Sequence, residues 1–368
     1  MALGALQQAE SELSDKGASV AQENELKRAL GKTRITRSRV FKSLGRYDDA
    51  KREVEGGMTL IEGEGNLKDL AEAYNNLGVI YEDRGLFDQA AEMFTKSLHA
   101  REELGDRKGV AAAYNNLANV SAVQGDYRRT AENLKKGLDI MTEIGYRSGI
   151  AGACNNLGSV YQDQGRYGEA LAMHERCLAL RTEIGDIPGV AMSHGNIGSV
   201  KFDMGDHAGA KEHLEKNIEI SRSIGFRIFE SQVHSWLALA LLNLGDTSAA
   251  IQSCREALRI AGEMDQPNQL AAAKRTLGII GLARMQTDEG QSADPWSASG
   301  IHLQESLEMF DSLKMHHDAG RSHLELARYY RHIGDLERCR EHLLRAKEVF
   351  QKLGARGDLA RANQIQVK

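Results

Sequence analysis

Adjacent asparagines recur at forty-residue intervals in this sequence. The first asparagines of the pairs are Asn75, Asn115 and Asn155, and the second asparagines are Asn76, Asn116 and Asn156, a series that Asn196 continues. A side-chain amide has both a hydrogen-bond donor and an acceptor, so a row of amides can bond an extended peptide backbone whatever the peptide's sequence. The alternative is that an asparagine bonds the neighbouring helix or the preceding loop and fixes how the repeated segments pack.

Two columns of charged residues follow the same forty-residue period. The arginine column comprises Arg107, Arg147 and Arg227, with Ile187 interrupting it. The aspartate column comprises Asp83, Asp163 and Asp203. Because an arginine can grip a carboxylate through two parallel hydrogen bonds, these columns could recognise an extended segment that carries charges. The alternative is that the arginines are solvated or bond carbonyl groups at helix ends.

Groups that could support catalysis or hold a metal ion form no recognisable motif in the sequence. The Gly-Lys-Thr at 31–33 lacks the earlier glycine of a phosphate-binding loop. Cys154, His194 and His234 share one repeat position, but neighbouring helices pack about 8–10 Å apart, whereas zinc ligands lie about 2.0–2.3 Å from the ion. We interpret this column as core packing, and the Arg-Gly-Asp at 356–358 as a chance tripeptide. We therefore expect no enzymatic activity, no cofactor and no metal site.

Glycines at a fixed spacing show which elements carry these columns. One series comprises Gly45, Gly85, Gly125, Gly165, Gly205 and Gly245, and a second, midway between them, comprises Gly65, Gly105, Gly145, Gly185 and Gly225. Between successive glycines the apolar residues are three, four and seven apart, as on one face of a helix. A glycine just past each helix fits a left-handed C-cap. Each repeat is therefore predicted to be helix A, a tight turn, helix B and a second tight turn.

Small residues recur inside these helices and predict close helix packing. In helix A they are Gly78, Ala118, Gly158, Gly198, Ala238 and Gly278, and in helix B they are Ala90, Ala170, Ala210 and Ala250. A glycine in a helix interior costs about 1 kcal/mol relative to alanine, which is reasonable where two helices cross closely. One hairpin cannot bury its apolar face alone, so we expect an all-α solenoid of stacked helix-turn-helix repeats.

These repeats resemble the tetratricopeptide repeat. The residues that carry the resemblance are Leu77, Gly78, Tyr81, Ala90 and Phe94 in one repeat and Leu157, Gly158, Tyr161 and Ala170 in another. The forty-residue unit is longer than the usual 34 and resembles the subclass found in Pins/LGN-type scaffolds, kinesin light chains and Rap-type peptide receptors. The resemblance, over roughly residues 22–362, implies a right-handed superhelical solenoid whose concave groove is lined by the second asparagine of each pair.

Breaks in the period divide the chain into four parts. We expect a partial repeat or cap at 1–21, tandem forty-residue hairpins at 22–285, an inserted loop at 286–299, and further helices with a cap at 300–368. The inserted loop is rich in Asp, Ser and Gly and contains Trp296. This tryptophan either packs back onto the solenoid or is a docking point for a partner.

Composition limits the class of protein. Of 368 residues, 41% are hydrophobic and 27% are charged, and the net charge of −5 argues against a nucleic-acid-binding protein. No apolar stretch approaches the roughly 20 residues that span a membrane, and the N-terminus lacks a secretory pattern. The four cysteines form no paired motif and are predicted to be buried. We expect a cytoplasmic protein without a membrane partner.

Two functions follow from these observations. The first is a non-enzymatic scaffold whose groove binds an extended peptide segment of a partner protein. The alternative is a sensory or regulatory module from a larger multidomain signalling enzyme, which binds a ligand or its own chain to control activity. All four columns are candidate peptide contacts; within the asparagine pairs we expect the second residue to contact the ligand and the first to form a structural hydrogen bond. Self-association through the solenoid ends stays open.

Overall fold

A computed structural model describes residues 20–61, 66–286 and 298–367, whose regular structure is entirely α-helical. The chain divides into two compact units, residues 1–146 and 147–368. The helices described in the first unit are α1 (Val20–Ser43), α2 (Tyr47–Ile61), α3 (Leu67–Asp83), α4 (Phe87–Glu103), α5 (Arg107–Val123) and α6 (Tyr127–Glu143). Those of the second unit are α7 (Arg147–Asp163), α8 (Tyr167–Glu183), α9 (Ile187–Asp203), α10 (His207–Ser223), α11 (Glu230–Asn243), α12 (Thr247–Glu263), α13 (Pro267–Met285), α14 (Ser299–Ser312), α15 (His316–His332), α16 (Leu336–Leu353) and α17 (Arg356–Asn363).

Successive helices form hairpins, and the hairpins stack. From α1 to α16, each odd-numbered helix (an A helix) packs against the even-numbered helix that follows it (a B helix). In the second unit, each A helix from α7 to α13 also contacts the next A helix, so the A helices form one continuous layer. The predicted all-α solenoid of stacked helix-turn-helix repeats is confirmed. The predicted loop with Trp296, and nearly all of the predicted partial repeat at 1–21, lie outside the described residues.

The turns between helices depend on left-handed backbone geometry. In the described residues, the turn glycines have φ between 66 and 85°, a conformation that glycine adopts without side-chain strain. Asp265 and Lys314 occupy equivalent turn positions with φ of 50 and 57°, and Asp265 continues the second glycine series forty residues after Gly225. Directly after several of these glycines an aspartate caps the next helix by accepting a hydrogen bond from a backbone N–H; these are Asp106, Asp126, Asp186, Asp206, Asp246 and Asp335. Each Gly-Asp pair therefore ends one helix and begins the next.

Close contact between A and B helices fixes each hairpin. A Cβ atom on Gly78 would lie 2.5 Å from the ring of Phe94, and one on Gly158 would lie 2.6 Å from the ring of His174. Ala90 and Ala170, one turn earlier on the same B helices, are fully buried. The missing side chain therefore lets an aromatic ring of the B helix lie on the backbone of the A helix.

Buried cysteines and one buried histidine complete the core. All four cysteines are buried and unpaired, as predicted, and burial raises the pKa of Cys254 to about 12. His174 is fully buried, and neither of its ring nitrogens has a hydrogen-bond partner among the described residues. Burial, with a smaller effect from Arg181, lowers the pKa of His174 to about 4, so its ring is neutral in the folded protein at neutral pH.

Replacing His174 with phenylalanine is expected to stabilise the protein. The change removes two unsatisfied ring nitrogens and reproduces the packing of Phe94 on Gly78, so we expect a gain of about 1–3 kcal/mol in the free energy of unfolding at pH 7. The unfolded wild-type chain binds a proton at His174 near pH 6.5, whereas the folded chain binds it only near pH 4. The wild type should therefore lose up to about 3 kcal/mol relative to the variant as the pH falls through this window. Urea unfolding of both proteins at pH 7 measures the gain in stability, and unfolding at pH 4.5 measures the additional loss of the wild type. A destabilised variant at pH 7 would contradict the proposed packing.

Candidate functional site

The asparagines of neighbouring repeats bond each other. In the first unit, Asn116 on α5 donates its side-chain N–H to Oδ1 of Asn75 on α3, at 2.9 Å. In the second unit, Asn196 on α9 donates in the same way to Asn155 on α7, at 2.8 Å. In these two cases, the second asparagine of one repeat therefore lies beside the first asparagine of the preceding repeat. The two columns share this inter-repeat hydrogen bond, while contact of either column with a ligand stays a prediction.

The start of the asparagine series lies beside a small cavity in the first unit. Asn76 is buried and donates a hydrogen bond to the carbonyl oxygen of Ile35, at 3.2 Å, while Arg39 donates to its Oδ1 at 3.4 Å. The cavity, of about 280 Å³, is lined by both asparagines of this repeat and by Arg39 and Lys42. This part of the A-helix surface thus has space for a ligand next to amide and cationic groups.

The remaining asparagines are partly buried. Oδ1 of Asn115 is buried without a hydrogen-bond partner among the described residues. Asn155 also lies 3.4 Å from Oδ1 of Asn156 on the same helix, a weak contact. All members of the two columns except Asn76 keep some exposed surface. Their amides therefore have hydrogen-bonding capacity beyond the inter-repeat bonds.

The arginine column pairs with glutamates of the same hairpin. Each arginine lies at or just before the start of an A helix and pairs with the glutamate that ends the following B helix; the pairs are Arg107–Glu143, Arg147–Glu183 (3.4 Å) and Arg227–Glu263 (3.5 Å). The arginine side chains are between 42 and 63% exposed, so each pair contributes at most about 1 kcal/mol. The arginines lie at the opposite end of the A helices from the aspartates, roughly 24 Å away along a helix of this length. The two charge columns therefore flank the asparagines rather than form one local site.

The aspartate column lies at the C-terminal ends of the A helices and bonds other parts of each unit. In the first unit, Asp83 pairs with Lys42 at 3.1 Å. In the second unit, Asp203 accepts a hydrogen bond from Gln162 at 2.7 Å and pairs with Arg361 of α17 at 2.5 Å. The Asp203 side chain is only 4% exposed, so this ion pair is buried.

Asp163 is partly buried and interacts with the same group of charges. Burial raises the pKa of Asp163, against the opposing effect of His317 and Arg321. A cavity of about 250 Å³ in the second unit is lined by Asp163, Asn196, Trp236 and Arg321. The second unit thus brings a member of the asparagine column and a member of the aspartate column to one place.

The centre of the buried charge group is Asp358 on α17. It accepts hydrogen bonds from His317 at 2.8 Å and from Arg321 at 2.9 Å, both on α15, and is 5% exposed. Burial would raise the pKa of Asp358, but Arg321, His317 and Arg361 together hold it well below the usual value. The carboxylate is therefore ionised at neutral pH and binds α17 to α15.

A larger cavity of about 1110 Å³ opens beside α17. The arginines in its lining are Arg275, Arg284, Arg321, Arg328, Arg331 and Arg361, and the carboxylates are Asp203, Glu325 and Asp358. The whole protein has a net charge of −5, whereas arginines outnumber carboxylates two to one in this lining. The lining of this cavity is therefore more positive than the protein as a whole, although Arg275, Arg321, Arg328 and Arg361 are each paired with a carboxylate.

The column of Cys154, His194 and His234 does not converge. His194 contacts His213 on the B helix of the same hairpin, with 3.0 Å between the two Nδ1 atoms. His234 likewise contacts Ser253 on the B helix of its hairpin, with 3.0 Å between Nδ1 and Oγ. Cys154 is fully buried. Nowhere in the described residues do three His, Cys, Asp or Glu side chains come close enough to hold a metal ion.

The residues that the second unit contributes from its C-terminal helices could not be identified from the repeat period. Arg321, Asp358 and Arg361 lie outside the regular forty-residue columns, and the tripeptide containing Asp358 had been interpreted as a chance occurrence. One signal was available, because an acidic residue and an arginine three positions apart share one face of a helix. Trp236 lies at the repeat position of the second asparagine column, forty residues after Asn196, and this position was the signal that could have identified it.

The inter-repeat amide bond can be measured by a double-mutant cycle on Asn75 and Asn116. Each alanine substitution is expected to lower the free energy of unfolding by about 1 kcal/mol, since it leaves the partner amide without its bond. The double variant should lose less than the sum of the single variants, with a coupling of at least about 0.5 kcal/mol. Asn119→Ala, an exposed position on the same helix, is the matched control and should change stability by less than about 0.5 kcal/mol. Strictly additive losses in urea unfolding would contradict the bond.

Several solved structures have a fold similar to that of this chain. They match nearly the whole chain at low sequence identity. The apo form of RapI covers 95% of this chain and 91% of its own, with a TM-score of 0.71 and 18% identity. Aspartyl phosphate phosphatase F from Bacillus subtilis covers 95 and 89%, with a TM-score of 0.67 and 11% identity. The Rap conjugation gene regulator of plasmid pLS20, in complex with the Phr* peptide, covers 90 and 95%, with a TM-score of 0.60 and 14% identity. At these identities the likeness concerns the fold alone.

Sequence comparison identifies the family. No curated protein matches this sequence. Sequence models described as "Tetratricopeptide repeat" match residues 69–143, 109–183 and 149–223, and also 231–263, which together are just over half of the chain. The matched segments correspond to hairpins of the solenoid. The chain belongs to the tetratricopeptide repeat family.

Proposed function

We propose that this protein is a non-enzymatic interaction module whose A-helix surface binds an extended peptide segment of a partner protein. The observation that carries the proposal is the pair of bonded amides on neighbouring A helices within each unit, Asn75 with Asn116 and Asn155 with Asn196, which keep hydrogen-bonding capacity after that bond. An extended backbone offers an N–H and a C=O at regular intervals, so a regularly spaced row of amides is suited to bind it. The Rap regulator of similar fold, solved with a peptide, supports a peptide as the ligand class.

The peptide's side chains would be recognised by the flanking charges. Asp83, Asp163 and Asp203 at one end of the A helices, and Arg107, Arg147 and Arg227 at the other, are suited to bind groups of opposite charge. The arginines are already paired with glutamates. The pairs of Arg107 and Arg147 are exposed and weak, so a peptide carboxylate can replace the glutamate there at little cost, whereas Arg227 also bonds the buried Glu230 at 3.0 Å. This assignment favours a ligand that carries charges on both sides of its backbone.

A regulatory module that binds its own chain is the second candidate. The observation in its favour is α17, a segment of the same chain whose Arg361 already lies on Asp203 of the aspartate column. The surface that we assign to a partner peptide is thus partly occupied by the protein itself. Controlled release of such a segment is one way in which a binding module can regulate a neighbouring domain.

We also propose a cytoplasmic location and no binding of nucleic acid or membrane. No described helix has the length and apolarity needed to cross a membrane. We propose that the protein has no enzymatic activity. Because one protein of similar fold is a phosphatase, the test is a screen with generic phosphoester substrates, which is expected to give no turnover. Self-association through the solenoid ends can be measured by sedimentation.

Removing two amides is expected to abolish most peptide binding. A peptide is first selected from a random phage-displayed library on the immobilised full chain and then labelled for fluorescence anisotropy. In the variant with Asn116→Ala and Asn156→Ala we expect about a hundredfold weaker binding, since two hydrogen bonds of roughly 1–1.5 kcal/mol each are lost. The circular dichroism spectrum should not change.

The matched control for this experiment is Asn119→Ala, which changes an exposed asparagine of the same helix. It is expected to bind the selected peptide as tightly as the wild type. Unchanged affinity in the double variant, together with a lower Tm, would refute ligand contact by these asparagines and leave them only a packing role.

A further inference from the structure

The C-terminal helix α17 is held against the A-helix surface of the second unit by charges from distant repeats. Arg361 reaches Asp203, 158 residues earlier in the chain, with 2.5 Å between Nη2 and Oδ1. Asp358, one helical turn before Arg361, is bound by His317 and Arg321. The helix therefore places an anion in a cationic subsite and a cation in an anionic subsite.

The fit of α17 is steric as well as electrostatic. Gly357 approaches the turn after α7 so closely that a Cβ atom on it would lie 2.8 Å from the hydroxyl oxygen of Tyr167 and 3.4 Å from the Cα atom of Gly165. A Cβ atom on Gly165 would in turn lie 3.3 Å from the Cα atom of Gly357. The absence of a side chain at both positions is therefore what allows the two backbones to meet.

Buried ion pairs of this kind select a geometry more than they stabilise a fold. Asp203 and Asp358 are both almost completely buried, so each carboxylate has lost most of its hydration. The attraction of Arg361 and Arg321 largely offsets that loss and adds little net stability. Such a contact contributes little net stability but requires each charge at a fixed position. Another segment with the same pattern of charges can therefore take the place of α17.

The cavity beside α17 gives room for such an exchange. Asp358, Arg361 and Gln364 of the C-terminal segment form part of the wall of the cavity of about 1110 Å³. If α17 leaves, Asp203 on one side and His317 and Arg321 on the other become available to a ligand. Because Arg321 and Trp236 line both cavities of the second unit, the vacated place lies next to the pocket that contains Asn196.

We propose that α17 is a built-in occupant of the peptide site in the second unit, and that the segment bound there in trans has the same chemistry: an acidic residue followed three positions later by an arginine, in a helical turn. The acidic residue binds His317 and Arg321, and the arginine binds Asp203. This inference rests on the proposed function and adds one feature to its ligand: the segment that is extended along the asparagines forms one helical turn where it reaches Asp203, His317 and Arg321. A tethered helix competes at an effective concentration of about millimolar, so the free segment binds the wild type weakly.

The first experiment tests whether α17 occupies the site, without any ligand. Hydrogen exchange of residues 356–363 is measured in the full chain. Arg361→Asp places a carboxylate against Asp203 and is expected to raise exchange in α17 at least tenfold; adding Asp203→Arg to the same chain is expected to restore protection. Arg356→Asp makes the same charge change at an exposed position of α17 and should leave exchange unchanged. Unchanged protection in Arg361→Asp would overturn the proposal.

The second experiment tests the ligand chemistry. The probe is a fluorescein-labelled peptide with the sequence of residues 355–367, and the receptor is the full chain carrying Gly357→Leu, which displaces α17 by its bulk and leaves every charge of the site in place. We expect this variant to bind the probe at least tenfold more tightly than the wild type does. A second probe, in which the residues at 358 and 361 are exchanged, should not bind. Equal binding of the two probes, or no gain in the variant, would overturn the proposal.

The two experiments separate this inference from the proposed function. If the asparagine variants leave binding of a library-selected peptide unchanged but the exchange and probe results are as expected, the amide row fails as a ligand contact and the acid–arginine site stands. If the library peptide depends on the asparagines but the probe never binds, the peptide module stands and the assignment of α17 as its occupant is refuted.

Discussion

The close contact between each A helix and its B helix is the constraint on which the rest of this structure depends. A glycine such as Gly78 lets a ring such as Phe94 lie directly on the helix backbone, and a larger residue there would collide with it. The contact fixes the depth and rotation of each hairpin, and the left-handed glycine with its capping aspartate fixes where the next helix begins. Because these constraints recur every forty residues, side chains at the same position of successive repeats lie at equivalent places on the structure. A residue type that recurs in the sequence therefore recurs at regular intervals on the surface.

Much of this fold could be predicted from the sequence, because its determinants are local and repeated. The glycine spacing predicted the turns, and the apolar spacing predicted both helices of the hairpin. Asp265 and Lys314 were not predicted as turn positions. Asp265 continues the second glycine series forty residues after Gly225 but is not a glycine, and Lys314 follows the insertion that breaks the period. The bond between Asn116 and Asn75 could not be predicted either, because it depends on the stagger between neighbouring A helices. That stagger pairs residues 41 apart instead of 40.

The candidate site was predicted only in part, for a related physical reason. The sequence identified the aspartate column but not what binds it, because Arg361 lies 158 residues from Asp203 and outside the repeat period. Periodicity describes contacts between neighbouring repeats, whereas a solenoid can also bring its distant parts together. The residues that close such a contact are non-repetitive by nature, so Asp358 and Arg361 appeared in the sequence as ordinary charges of a terminal helix.

The amide row can hold the repeats together and still bind a ligand. A side-chain amide has two N–H groups and an oxygen with two lone pairs, and the inter-repeat bond uses one N–H of Asn116 and one lone pair of Asn75. Each amide keeps a donor and an acceptor, and the bond itself holds the amide plane in one orientation. A ligand then binds groups that are already ordered, so less conformational entropy is lost on binding. The packing role and the binding role of these asparagines therefore support each other.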